Sequence, residues 1–212
     1  MSPVEQYESY ISTYSDLIYS KVALKLGVYQ AHVEALEREP YDMNRANPLM
    51  PLMVESIQID CVMTVSKLIE HGRGDRTFQK FLAFVERNMK AISKVYPEIE
   101  MSLVNEQRQA LKEVESQVSS ILTQRDKYFA HADKKYFFDQ NKITDDFPET
   151  YNELIQILRA LQRIVGKHQQ LMTGAHPMCM AEFAYAFSDR TLNHVKVAEK
   201  EWHATYRQGE EW

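Results

Sequence analysis

Apolar residues recur along this chain at intervals of three and four, and strict alternation of apolar with polar positions is scarce. Such spacing marks amphipathic helices, so the pattern predicts an all-α protein. Tyr7, Tyr10, Ile11, Tyr14, Leu17, Ile18 and Val22 share one face of a first helix over about residues 5–38, which Pro40 closes. A second helix follows Pro48 and Pro51, turns Val54, Ile57, Cys61, Val65, Leu68 and Ile69 inward, and stops at Gly72 and Gly74. Asp75 is a natural N-cap for a third, which holds Phe78, Phe81, Leu82, Val85 and Met89 and ends near Tyr96 and Pro97.

The fourth helix is read as the longest, from about residue 98 into the 130s, with Leu103, Val104, Leu111, Val114, Val118, Ile121 and Leu122 as its stripe. A loop, DQNKITDD over 139–146, comes next. Asp146 and Glu149 then resemble a capping box for a fifth helix carrying Leu154, Ile157, Leu158, Leu161 and Val165. Five helices with short connections make an up-and-down bundle, expected over residues 1–172. From 173 onward the character changes, with Met178, Met180, Phe183, Tyr185 and Phe187 followed by a polar, helix-like tail. Residues 173–212 are thus expected to form a C-terminal extension that packs on the bundle or on a second subunit.

Composition narrows the field. With 44% hydrophobic and 26% charged residues the chain can bury a core. It has only 6 glycines, and neither a GxxxxGK phosphate loop, a GxGxxG fingerprint nor a GxSxG nucleophile turn is present. Chemistry would therefore have to be mounted on helix faces. Cys61 and Cys179 sit in apolar surroundings without a CxxC pair, which points to reduced, buried thiols and a cytoplasmic setting. The start of the sequence lacks a signal-peptide pattern, and no apolar run approaches the roughly 18 residues that span a bilayer. No membrane partner is expected. Neither is a metal or cofactor: the paired Glu-x-x-His motifs of a di-iron bundle are missing, and Met178, Cys179 and Met180 have no second cluster to join. A net charge of −5 argues against a general nucleic-acid coat but leaves local charge open.

The informative stretch is RDKYFAHADKK, residues 125–135. At roughly 100° per residue, Arg125 falls amid Val114, Val118, Ile121, Leu122 and Phe129, in the middle of the apolar stripe. A guanidinium there costs free energy unless it is paired, so Arg125 has either a structural partner or a functional use. On the same geometry Tyr128 and His131 follow along one edge of the helix, within reach of the arginine. An outward-turned Arg125 and a hydrogen-bonded structural His131 are the plain alternative.

RDKYFAH resembles the R-x(4 to 6)-H signature of HEPN domains, in which a polar residue follows the arginine; here Asp126 holds that place. The longer wording RDKYFAHAD, late in a long helix, resembles in particular the HEPN-like proteins of bacterial abortive-infection systems. The resemblance implies a dimeric helical bundle in which two motifs face one cleft and act as a metal-independent endoribonuclease, in phage defence or as a toxin. It makes Arg125 and His131 catalytic, with Asp126 orienting one of them. Its alternative is a catalytically silent bundle serving dimerisation or RNA or protein binding. Toxins of this superfamily that are silenced by a nucleotidyltransferase carry a tyrosine two residues after the histidine. Asp133 stands there, which puts that antitoxin route in doubt, so an antitoxin or defence-system partner stays unspecified.

RNA as substrate asks for basic side chains. Arg159, Arg163 and Lys167 recur every four residues on the fifth helix, with His168 nearby and no acid between Leu154 and Gln170. Together with Lys127, Tyr128, Lys134 and Lys135 they can line a path for an RNA backbone, or else form a solvated face balanced by acids on a neighbouring helix. Tyr7, Tyr10 and Tyr14 can stack bases, but their spacing suits a core or a dimer surface.

Overall fold

The computed structural model describes residues 1–38, 49–70, 76–130 and 142–207. In chain order these form α1 (Pro3–Ser15), a π-helical segment π1 (Asp16–Val22), α2 (Ala23–Arg38), α3 (Met50–Ile69), α4 (Phe78–Arg87) and α5 (Met89–Ile92). They continue as α6 (Met101–Glu113), α7 (Glu115–Gln124), a second π-helical segment π2 (Arg125–Ala130), α8 (Lys142–Asp146), α9 (Thr150–Thr173) and α10 (Ala181–Arg207). No strand occurs among the described residues. The fold is all-α and consistent with a HEPN-like bundle.

Local chemistry explains the helix ends. Ser2 caps α1 through a reciprocal box: its Oγ accepts from Glu5 N–H at 3.2 Å while Glu5 Oε2 accepts from Ser2 N–H at 2.7 Å. Thr77, not Asp75, caps α4, its hydroxyl accepting from Lys80 N–H at 3.4 Å; Gly72, Gly74 and Asp75 lie outside the described residues. Gly174 ends α9 with φ +73°, a left-handed turn that a residue without Cβ adopts freely, and its N–H donates to Gln170 at 2.8 Å.

Besides the π-helical turn within the expected first helix and a break at Asn88 within the third, two more expected elements differ. The long fourth helix is interrupted at Val114, whose φ of −107° and ψ of 17° leave the helical region and separate α6 from α7. Val114 is apolar and continues the stripe, so periodicity carries no sign of this break. Residues 142–146, read as loop, form the short α8, and the Asp146–Glu149 box is not made: Glu149 occupies the cap position, and its side chain accepts from Asn152 Nδ2 rather than from a backbone N–H of the first turn.

Contacts divide the chain into two compact units, Met1–Val22 with Ile59–Met178, and Ala23–Gln58 with Cys179–Trp212. This differs from the linear division at residue 173, because α10 packs along α2. In the first unit α9 packs against α1, π1, α6 and α7, and α4 against α6. Its core joins Tyr7, Ile11, Tyr14, Phe78, Phe81, Leu82, Val104, Ile121, Leu154, Ile157 and Leu161, all buried. The tyrosine stripe belongs to that core. Tyr14 stacks on Phe78 with ring centroids 4.6 Å apart, and Tyr10 lies between Phe81 and Phe84.

In the second unit Ala31, Ala35, Met50 and Leu192 form a small core with Leu36 and Tyr185 against it. Gly27 lets the backbones meet there: a Cβ would strike the carbonyl oxygen of Ala181. Tyr185 donates to Glu34 at 2.5 Å and Arg38 pairs with Asp189 at 2.7 Å across the two helices. The cysteines also part from expectation, since Cys61 is buried but Cys179 is exposed.

Candidate functional site

The end of α7 is fixed before Arg125 is reached. Val118 and Ile121 are buried, and Gln124, also buried, donates through Nε2 to Thr150 Oγ1 at 2.9 Å, tying the last residue of α7 to the first of α9. The backbone then widens into π2, and Arg125 is its first residue. Hydrogen bonds from i to i+5 place more residues in each turn than the α-helical rule allows. The azimuth expected for Tyr128 from an α-helical rotation therefore does not hold for this segment.

Arg125 is 16% exposed at its side chain and held between two carboxylates. Its Nε donates to Asp126 Oδ1 at 2.8 Å, and Nη2 lies 2.8 Å from the same oxygen. Nη1 and Nη2 face the two oxygens of Glu70, each at 3.4 Å. The hydrogen bond to Asp126 is the main cause that pushes the arginine's pKa up, against the opposing pull of partial burial, so the guanidinium is firmly charged. A stripe position thus carries a cation because acids from π2 and from the end of α3 compensate it.

Glu70 has no place in the motif and was missed by sequence reasoning. A signal existed: the residue follows the last turn of α3, where the helix dipole disfavours an acid, so its presence there calls for a cationic partner.

Asp126 and Lys127 are exposed at π2. The side chain of Tyr128, and all of His131, Lys134 and Lys135, lie outside the described residues. Arg159, Arg163 and Lys167 are exposed on α9, and Arg163 faces Glu113 of α6 at 3.4 Å. Arg163 and Lys167, with Tyr19, Glu106, Gln107 and His176, border a cavity of about 260 Å³ in the first unit.

His168 does not join the basic face. It is fully buried, with Tyr7 and Phe81 against its ring. Because the Gln107 carbonyl oxygen can only accept, His168 Nε2 donates to it at 2.9 Å, and the free Nδ1 accepts from the Tyr7 hydroxyl at 2.8 Å. Burial lowers the His168 pKa to about 3, so the ring is neutral. Its place was visible in the spacing of seven from Leu154 to Leu161 to His168, which returns to the core side of α9. Among the described residues no three of His, Cys, Asp and Glu come together as a metal would require, and no helix is long and apolar enough to cross a membrane.

An all-α bundle with an arginine at the end of a buried helical stripe, followed by an acid, is consistent with a HEPN-type protein. The AbiU2 family model, itself a HEPN model, matches residues 9–202, and the chain belongs to this abortive-infection-associated family. Comparison with curated proteins and with solved structures finds no match.

Proposed function

We propose that this protein is a metal-independent endoribonuclease of the HEPN type that acts in abortive infection or as a toxin in the cytoplasm, working as a homodimer. The observation that carries the reading is Arg125, a charged guanidinium only 16% exposed at the end of a packed helix and steadied on its Nε edge by Asp126. In the reaction the 2′-oxygen of RNA attacks the adjacent phosphorus and the 5′-oxygen leaves. One group must take the 2′-hydroxyl proton, one must protonate the leaving oxygen, and a cation must meet the charge that builds on the non-bridging oxygens. His131, whose ordinary pKa lies near neutrality, serves the proton transfers. Arg125 clamps the phosphoryl oxygens, and Lys127, Lys134, Lys135, Arg159, Arg163 and Lys167 supply the positive charge that holds the RNA backbone.

Purified protein incubated with RNA in excess chelator tests this. The wild type is expected to leave 2′,3′-cyclic phosphate and 5′-hydroxyl ends, while Arg125→Ala and His131→Ala each slow cleavage by about 100-fold or more. Equal activity in all three would overturn the assignment. One observation favours a second reading, a catalytically silent bundle that binds RNA or protein: both forked edges of the Arg125 guanidinium already face carboxylates. In that case RNA is retained uncut by the wild type.

A further inference from the structure

We propose that Glu70 is the residue an RNA phosphate must displace to reach Arg125, and that it thereby sets the affinity of the site for RNA. The inference rests on the reading of Arg125 as the phosphate-binding residue.

A guanidinium offers anions two forked edges, and both are occupied here. Asp126 takes the Nε–Nη2 edge at 2.8 Å. Glu70 takes the Nη1–Nη2 end at 3.4 Å to each oxygen. A phosphate that binds bidentately needs one of the two.

The Glu70 end is the one that yields. Charge-assisted N–H···O bonds close to about 2.7–2.9 Å, which the Asp126 contacts reach and the Glu70 contacts do not. Asp126 is the next residue in the chain and follows Arg125 wherever it moves. Glu70 comes from another element, just past the C-terminal turn of α3, where the helix dipole opposes its charge. Its side chain is also 29% exposed, so water can receive it when it leaves. While Glu70 stays, one cation stands between two acids and the local sum is negative, which repels a phosphate. Once it swings away, the arginine and Asp126 balance and the open edge attracts the anion. A single phosphate has little with which to drive that exchange, whereas a strand with further basic contacts around Arg125 has more.

The test is binding of a short, 2′-O-methylated single-stranded RNA, which cannot be cleaved by its own 2′-oxygen, followed by fluorescence anisotropy at fixed salt. Glu70→Gln and Glu70→Ala are expected to tighten binding by about 5- to 10-fold, and Arg125→Ala to weaken it. In the Arg125→Ala background the Glu70 substitutions should bring no gain. Unchanged or weaker binding by folded Glu70 variants, with Arg125→Ala still weakening it, overturns the role of Glu70 and leaves the reading of Arg125 standing. A gain that persists without Arg125 also overturns it, since the effect would then be one of general charge. Undiminished binding by Arg125→Ala brings down the reading of the site itself, and Glu70 with it.

Discussion

His168 shows how much a single buried polar side chain can control. Its pKa is lowered to about 3 in the folded protein, against an ordinary value near 6.5. The unfolded chain therefore takes up a proton that the folded chain refuses as pH falls. The stability this group contributes is complete above about pH 6.5 and is lost progressively as pH drops towards 3, on the order of 5 kcal/mol over the whole span. Urea unfolding between pH 7.5 and 4 should show this slope in the wild type and a flatter one in His168→Phe. At pH 7.5 the variant should be less stable by about 2–3 kcal/mol, because the Tyr7 hydroxyl and the Gln107 carbonyl lose their partner. A slope unchanged by the substitution would assign the acid sensitivity elsewhere. At this scale the sequence was partly legible. Arg125 was singled out by its place in the stripe and Asp126 by its place in the motif, but Glu70 was not, because it lies 55 positions away and only packing brings it near.

Helices were legible where burial follows a regular period, and illegible where backbone geometry interrupts it. The stripe of α9 was read correctly: Leu154, Ile157, Leu158, Leu161 and Val165 are all buried. The π-helical turns and the break at Val114 leave no mark in the pattern, since they alter hydrogen bonding without altering which residues are apolar. Gly27 and Gly166 give a test of element packing. Both are buried in helices, where alanine by itself is favoured by about 1 kcal/mol over glycine. A Cβ on Gly27 meets backbone, the Ala181 carbonyl, whereas one on Gly166 meets the hydroxyl end of the Tyr19 side chain. Gly27→Ala is expected to destabilise by about 2 kcal/mol or more, because two helices must part, and Gly166→Ala by less, because a side chain can turn aside. Thermal unfolding of both variants compares them directly. A Gly27→Ala protein as stable as the wild type would mean that α2 and α10 can part without cost.

The whole molecule was the least legible. Joining 23–58 with 179–212 is a long-range event, and no local pattern announces which distant helix a face will meet. The hint lay in small residues: Gly27, Ala31 and Ala35 recur every fourth position of α2 and are all buried, a surface shaped for close approach of another helix. A chain ended after Met178 loses α10 and leaves that face without its partner. Such a truncation is expected to lose more helical circular dichroism than the deleted residues account for, and to bind a hydrophobic dye that the full chain does not. Proportionate loss of signal and no dye binding would show that α2 holds its structure without α10.

The π-helical turn at Arg125 bears on how the motif is counted. A turn closed from i to i+5 contains one residue more than its α-helical equivalent. Deleting a single residue between Arg125 and His131 would allow the segment to wind as α-helix and leave the chain beyond it nearly in phase. A helix can in this way take one residue more or fewer after Arg125, the backbone acting as a vernier that takes up the difference. For such a turn, sequence distance is an elastic measure, and the hydrogen-bond pattern is the part that stretches.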